Sequence, residues 1–334
     1  MEKLFAPLVG DADPVTVIGL CKNAGKTTAL RRLMVELGDE VLGLTSVGRD
    51  GEATDLVTGT EKPDIYLKSG DLFATARGLL TLCDATCSVE ALTGVMTPLG
   101  EVAIFRALSD GYVQIAGPSA AAQLTPLCAS FHRLGAQRVL IDGAAGRKSL
   151  AGAGTGDGGC AILCTGASLD RNMDLVVAET AFVCDLFAAR RPAHPGLAAA
   201  LDAARGRFAL FTPEGEPVEL PVDEGGAPRW GKLPRVPLAV WAAGGIMDPL
   251  VKTLVQRGLP VTLCAEDPTH VLCSRTVMDA FLRAGSSLCV RRELNLAAVA
   301  ANPWSAYGWH YDGSAFLSAL RGALKLPVVN VKEA

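Results

Sequence analysis

Aromatic side chains are scarce in this chain, at 5% of its 334 residues. Alanine is abundant and glycine reaches 36 residues, a composition that suits tightly packed α/β layers better than an all-β sandwich. Charge of one sign is lacking too. The formal net charge is −4, so nothing in the composition supports nucleic-acid binding. The longest uncharged stretch, residues 111–131, is broken by Pro118, Pro126, Gln114, Gln123 and several hydroxyl side chains. It reads as strand, turn and helix, with no membrane span implied. Residues 1–14 carry three acidic side chains and no long apolar run, which is not the pattern of a signal peptide. The four histidines (His132, His194, His270, His310) are scattered; each reads as structural, and no Ser-His-Asp arrangement emerges. C-x2-C pairs are missing as well. Cys83/Cys87 and Cys160/Cys164 are C-x3-C pairs without histidines at ligand spacing, which argues against a zinc or cluster site. The ten cysteines are no small secreted scaffold. Many sit in apolar runs, as Cys164 and Cys264 do, and look like reduced, buried cysteines of a cytoplasmic protein.

What is present is an alternation of strands and helices. A chain of this length exceeds one ordinary core, so two domains are expected. Residues 15–20 form a β-branched apolar run, residues 26–37 place Leu30, Leu33, Met34 and Leu37 on one helical face, and residues 41–47 are a second strand. That order is a βαβ unit. Residues 65–80 and 89–107 mix strand and helix signals. Further strands are expected at 112–116, 139–141 and 160–164, with helices at 119–134 and 172–189. A glycine-rich loop with seven glycines spans 143–159. Prolines and arginines at 190–195 mark a boundary. We therefore expect a nucleotide-binding domain over 1–192, a linker or hairpin region over 193–236, and a smaller α/β domain over 237–334. In that last part strands at 238–242, 261–265, 288–290 and 296–300 alternate with helices at 249–258, 275–284 and 314–324. Alternation of this kind implies mostly parallel sheets. Gly244-Gly245, between a strand and a helix, reads as a tight turn before a ligand crevice.

The sharpest motif is Gly19-Leu-Cys-Lys22-Asn23-Ala24-Gly25-Lys26-Thr27-Thr28. It follows a strand and opens a helix. Phosphate oxygens need several backbone N–H donors aimed at one point, which demands a tight turn without bulky side chains. Gly25 supplies the freedom, the helix N-terminus a partial positive charge, Lys26 a full charge near the β- and γ-phosphates, and Thr27 a hydroxyl for Mg2+. Five residues separate Gly19 from Gly25, one more than in the common G-x4-G-K-[ST] loop. The longer spacing resembles the loop of dethiobiotin-synthetase-like P-loop proteins. Lys22 stands one position from the signature lysine of a MinD-type loop and is counted with the loop's cofactor-binding residues only.

Mg2+ on a triphosphate prefers hard oxygen donors and usually a carboxylate. Asp142 ends the apolar run Arg138-Val-Leu-Ile, a Walker B pattern, and is read as the metal carboxylate over a solvated loop aspartate. Asp50, in Ser46-Val-Gly-Arg-Asp-Gly-Glu, follows the second strand and is a candidate to orient metal or water, or simply a surface acid. Arg49, Glu52 and Asp55 are weaker candidates. Arg147 and Lys148, in the glycine-rich segment, could reach the nucleotide if that segment acts as a lid. No N-K-x-D motif follows the later strands, so ATP is favoured over GTP.

Gly19-Leu-Cys-Lys-Asn-Ala-Gly-Lys-Thr-Thr, Ser46-Val-Gly-Arg-Asp-Gly-Glu, Thr97-Pro-Leu-Gly-Glu, Ile115-Ala-Gly-Pro-Ser, Ile141-Asp-Gly-Ala-Ala-Gly-Arg-Lys-Ser and Asn302-Pro-Trp-Ser-Ala-Tyr-Gly together resemble the P-loop subunit of the lysine 5,6-aminomutase reactivase, the KamB family. The resemblance implies a P-loop NTPase domain and a role in amino-acid fermentation. With a MutS-related ATPase subunit, such a protein would use ATP and Mg2+ to release damaged cobalamin from the adenosylcobalamin-dependent aminomutase. Two other classes share the loop: a ligase that phosphorylates a carboxylate, and a GTPase metallochaperone, which the missing guanine motif disfavours.

Overall fold

A computed structural model describes residues 3–47, 65–118, 120–143, 158–224 and 228–331. The chain divides into two compact units, one of Met1–Ala181 with Asn295–Ala334, the other of Phe182–Leu294.

The first unit is built on a sheet that has nine strands among the described residues. Its elements begin with α1 (Ala6–Val9), β1 (Val15–Gly19), α2 (Lys26–Glu36) and β2 (Leu42–Ser46). There follow β3 (Ile65–Leu67), β4 (Leu72–Ala76), β5 (Cys87–Thr97), β6 (Gly100–Ala107) and β7 (Gly111–Val113). The unit continues with α3 (Leu124–Arg133), β8 (Arg138–Asp142), β9 (Cys160–Gly166) and α4 (Met173–Phe187), inside which the boundary between the units falls. The order across the sheet starts from β9-β1-β8-β2-β4, all parallel, and continues through the antiparallel hairpin β6-β5. On the far side of β9 the sheet is extended by two more parallel strands, Leu296–Asn302 and Val328–Asn330. β3 and β7 pair separately.

The central strands are buried along their full length, as in β1, because helices cover both faces. In β8, Leu140 joins a core with Leu30 and Leu33 of α2 and Phe5. Its neighbours Val139 and Ile141 join Leu124, Leu127 and Phe131 of α3. Alternate residues of one strand thus feed two cores, as the pleat requires.

The second unit carries α5 (Pro195–Ala203), β10 (Phe208–Phe211), β11 (Pro217–Val218), β12 (Leu238–Ala242), α6 (Asp248–Gln256), β13 (Val261–Ala265), α7 (Arg275–Arg283) and β14 (Ser287–Val290). Its sheet runs β11-β10-β12-β13-β14, parallel from β12 to β14 and antiparallel at β10 and β11. Trp241 is buried in its core with Leu197, Leu201, Phe211, Cys264 and Cys289.

After Leu294 the chain returns to the first unit as β15 (Leu296–Asn302), α8 (Gly313–Ala323) and β16 (Val328–Asn330). The compact units therefore differ from the sequence boundaries at 192 and 236. The run expected as a strand of a C-terminal domain is β15, paired in parallel with β9. Residues 193–236 are likewise no separate linker, because α5, β10 and β11 belong to the second unit. A parallel partner distant in the chain leaves no local mark, which is why the apolar run at 296–300 alone does not reveal its sheet. Among the described residues no helix is long and apolar enough to cross a membrane.

Candidate functional site

β1 is flanked by β8 on one side and β9 on the other. The chain first builds the β2 side, then crosses over β1 to build the β9 side. Ligand crevices in open parallel sheets form where the winding reverses, outside the carboxyl ends of the strands. Here that point is the loop after β1.

The loop is shaped by its backbone. Leu20 donates its N–H to the carbonyl of Cys164 at 3.0 Å, carrying the β1–β9 pairing one residue past the strand. Asn23 (φ 60°) and Gly25 (φ 96°) then take left-handed conformations that turn the chain into α2. Ala24 is fully buried and anchors the loop in the core. Gly25 occupies the N-cap of α2. It has no side chain to satisfy the first N–H groups of the helix, and such donors favour an anion. The Lys26 side chain turns back over the strand end. A Cβ on Gly19 would lie 2.9 Å from its Cδ and 3.0 Å from its Cγ, so residue 19 has to be glycine for the lysine to lie there. Thr27 is half-buried, while Lys22, Asn23 and Thr28 are exposed.

Asp142 ends β8 in register with Val17 of β1 and Ser46 of β2. Burial pushes the Cys164 thiol up to about 12, with Lys26 acting to lower it and Asp142 to raise it. Lys26 begins the helix that follows β1 and Asp142 ends the adjoining strand β8, so both stand at the carboxyl edge of the sheet. The Thr27 hydroxyl and the Asp142 carboxylate are hard oxygen donors of the kind Mg2+ takes when phosphate oxygens and water complete its shell. Among the described residues no group of three or more His, Cys, Asp or Glu could hold a metal by itself. The Ile115-Ala-Gly-Pro motif lies over the end of β2. Ser46 Oγ accepts from the Gly117 N–H at 3.0 Å and donates to the Ile115 carbonyl at 3.3 Å. A Cβ on Gly117 would fall 2.0 Å from the Ser46 carbonyl, which fixes that glycine. Asp50 lies outside the described residues, as do Arg49, Glu52, Asp55, Arg147 and Lys148.

A cleft of about 510 Å3 opens at the loop, with Lys22, Lys26 and Thr27 on one side and Asn302, Trp304 and Ser305 on another. The second wall was not assigned to the site from sequence. It is held to the loop by Asn302, whose Nδ2 donates to the Asn23 carbonyl at 3.4 Å. The signal available was an Asn-Pro-Trp following an apolar run, a polar residue at a strand's carboxyl end. A smaller cavity of about 210 Å3 lies on the flank of α2, bounded by Val35, Tyr66 and Tyr112. Its Asp71 carboxylate is committed to the backbone N–H groups of Leu42 and Lys68, each at 3.0 Å.

Elsewhere the polar features are structural. His132 pairs with Asp13 at 2.8 Å and His270 with Asp267 at 3.1 Å. All ten cysteines are free thiols. Gly244-Gly245 is a turn locked by the exchange of N–H donors from Ile246 to the His270 carbonyl and from Leu272 to the Ile246 carbonyl, both at 2.8 Å. Leu272 stands against Gly245, 3.0 Å from where a Cβ would be. Comparison with protein-family models, curated proteins and solved structures found no match.

Proposed function

We propose that the first unit is a P-loop nucleotide-binding domain that takes ATP with Mg2+ at residues 19–28, and that the chain hydrolyses it to remodel a partner. The observation that carries the reading is the loop itself. A lysine folded back over a strand-end glycine stands beside an uncapped helix N-terminus, at the winding reversal of a parallel sheet, with Asp142 on the adjoining strand. Backbone N–H groups of residues 22–28 would hold the phosphates, Lys26 would balance their charge, and Thr27 and Asp142 would hold the metal. Asp50 is proposed for water or metal orientation on sequence grounds alone. The sequence resemblance extends this reading to the reactivase of lysine 5,6-aminomutase, working with a MutS-related subunit. Binding and hydrolysis would then bias a conformational equilibrium in the complex.

Two measurements test it. Lys26→Ala should abolish ATP binding and turnover while its circular-dichroism spectrum and melting curve stay those of the wild type; unchanged affinity and turnover would remove the site assignment. Turnover stimulated by cobalamin-inactivated aminomutase together with the partner subunit is the expected behaviour. Turnover that needs a small carboxylate substrate and no partner would replace the reactivase reading with the ligase one.

A further inference from the structure

Resting on that nucleotide reading, we propose that Trp304 is a stacking platform for the nucleobase, so that the loop after β15 completes the nucleotide site begun by the loop after β1. Three observations converge on it. The cleft that starts at Lys26 and Thr27 is continuous with Trp304, and its volume of about 510 Å3 falls within the range of sites that enclose ligands of this size. Trp304 is 52% exposed, the most exposed of the large aromatic rings that include Tyr66, Tyr112 and Tyr307 at 44–46%, whereas Trp241 in the core of the second unit is at 1%. Its plane is also fixed in advance. His310 stacks on the ring with centroids 4.7 Å apart and planes 21° from parallel.

The segment that carries Trp304 is anchored along its length. Ser305 donates its N–H to the Trp309 carbonyl at 2.9 Å and Tyr311 to the Pro303 carbonyl at 2.9 Å. Trp309 is the structural member of the pair: its indole N–H is donated to the Ala167 carbonyl at 2.9 Å, and the Arg171 guanidinium lies 4.8 Å from its ring centroid. Ala306 donates to Ser168 Oγ at 3.2 Å. An aromatic face held still by its surroundings loses little entropy when a base covers it. Stacking reads the π-face that every base possesses, so the platform contributes affinity with little preference between adenine and guanine.

Isothermal titration with the Mg2+ complexes of ATP, GTP and inorganic tripolyphosphate separates this proposal from the phosphate-site reading. Trp304→Ala should weaken ATP and GTP alike, by about tenfold, and leave tripolyphosphate unchanged, whereas Lys26→Ala should abolish all three. Trp304→Phe should restore most of the ATP affinity. Unchanged ATP affinity in Trp304→Ala overturns the platform, as does a parallel loss of tripolyphosphate. Wild-type protein that binds tripolyphosphate as tightly as ATP keeps the phosphate site and sinks the platform; protein that binds neither sinks the nucleotide reading as well. Energy transfer from tryptophan to N-methylanthraniloyl-ATP tests the same contact in a variant that keeps an aromatic face. It should fall on Trp304→Phe, and transfer that persists undiminished overturns the proposal.

Discussion

Gly25 carries two demands at a single residue. Its left-handed backbone starts α2, and a Cβ there would stand 3.1 Å from Cβ of Asn302. Alanine in a left-handed conformation costs about 1–2 kcal/mol, before any displacement of Asn302. Gly25→Ala should therefore lower the stability by about that amount and, by shifting both walls of the cleft, weaken nucleotide binding further. Gly135 is the control. It has nearly the same φ, 98°, with nothing within 4 Å of a Cβ. Gly135→Ala should lose comparable stability in urea melts while binding as the wild type does. Equal binding losses in the two variants would show that Gly25 acts through general stability alone. The loop was legible in sequence because its demands are local: tight turn, lysine and hydroxyl are neighbours in the chain. Trp304 and Asn302 were not, since the contact between Asn302 and Asn23 spans 279 positions and no short-range pattern encodes it.

Among the elements, α1 depends on α2 through one carboxylate. Glu36 is buried and accepts N–H groups of Leu4 at 2.9 Å, Phe5 at 2.8 Å and Ala6 at 2.8 Å, with Arg32 Nε at 2.6 Å. It closes the start of a four-residue helix that has no side-chain cap of its own. Burial works to raise its carboxyl, but the donors of Ala6, Arg32, Leu4 and Phe5 together outweigh it and hold it below the ordinary value. A depressed folded value means that the stabilisation is complete above the unfolded pKa of about 4.3 and is lost as pH falls through the folded value. Glu36→Gln should cost about 1–3 kcal/mol at neutral pH. In urea titrations the gap to the wild type should narrow on acidification; a constant gap would show that the charge is not what binds α1. Elements with regular patterns, such as β1, α2, β12 and β13, were legible to within a residue or so. The β5–β6 hairpin was not. Its register shifts between Val89 and Ala91 and again between Leu92 and Val95, and each shift breaks the two-residue alternation that announces a strand.

For the whole molecule, the decisive fact is that residues 295–334 belong with the beginning of the chain. β15 pairs with β9 from Ala161 to Gly166, and β9 is buried over its entire length. The sequence boundary at 192 severs that pairing. A chain ending at residue 192 would leave the edge of a fully buried parallel strand without its neighbour, a template for aggregation, and would lose the Ala300 and Val331 packing of the larger core. Such a chain should fail to show cooperative unfolding. The complementary experiment removes most of the second unit. Within it, the chain comes back close to itself near both ends, with Arg190 Nη1 2.8 Å from Glu293 Oε2 and the Arg191 N–H donated to Glu293 Oε1 at 2.9 Å. Closing a loop of a few residues costs little, so replacing residues 190–293 with a short glycine–serine linker should leave a first unit that unfolds cooperatively and binds ATP as the full chain does. Cooperative folding of the 1–192 chain would mean that β15 and β16 are accessory to the sheet. Loss of ATP binding in the linker variant, with folding retained, would place part of the nucleotide site in the second unit.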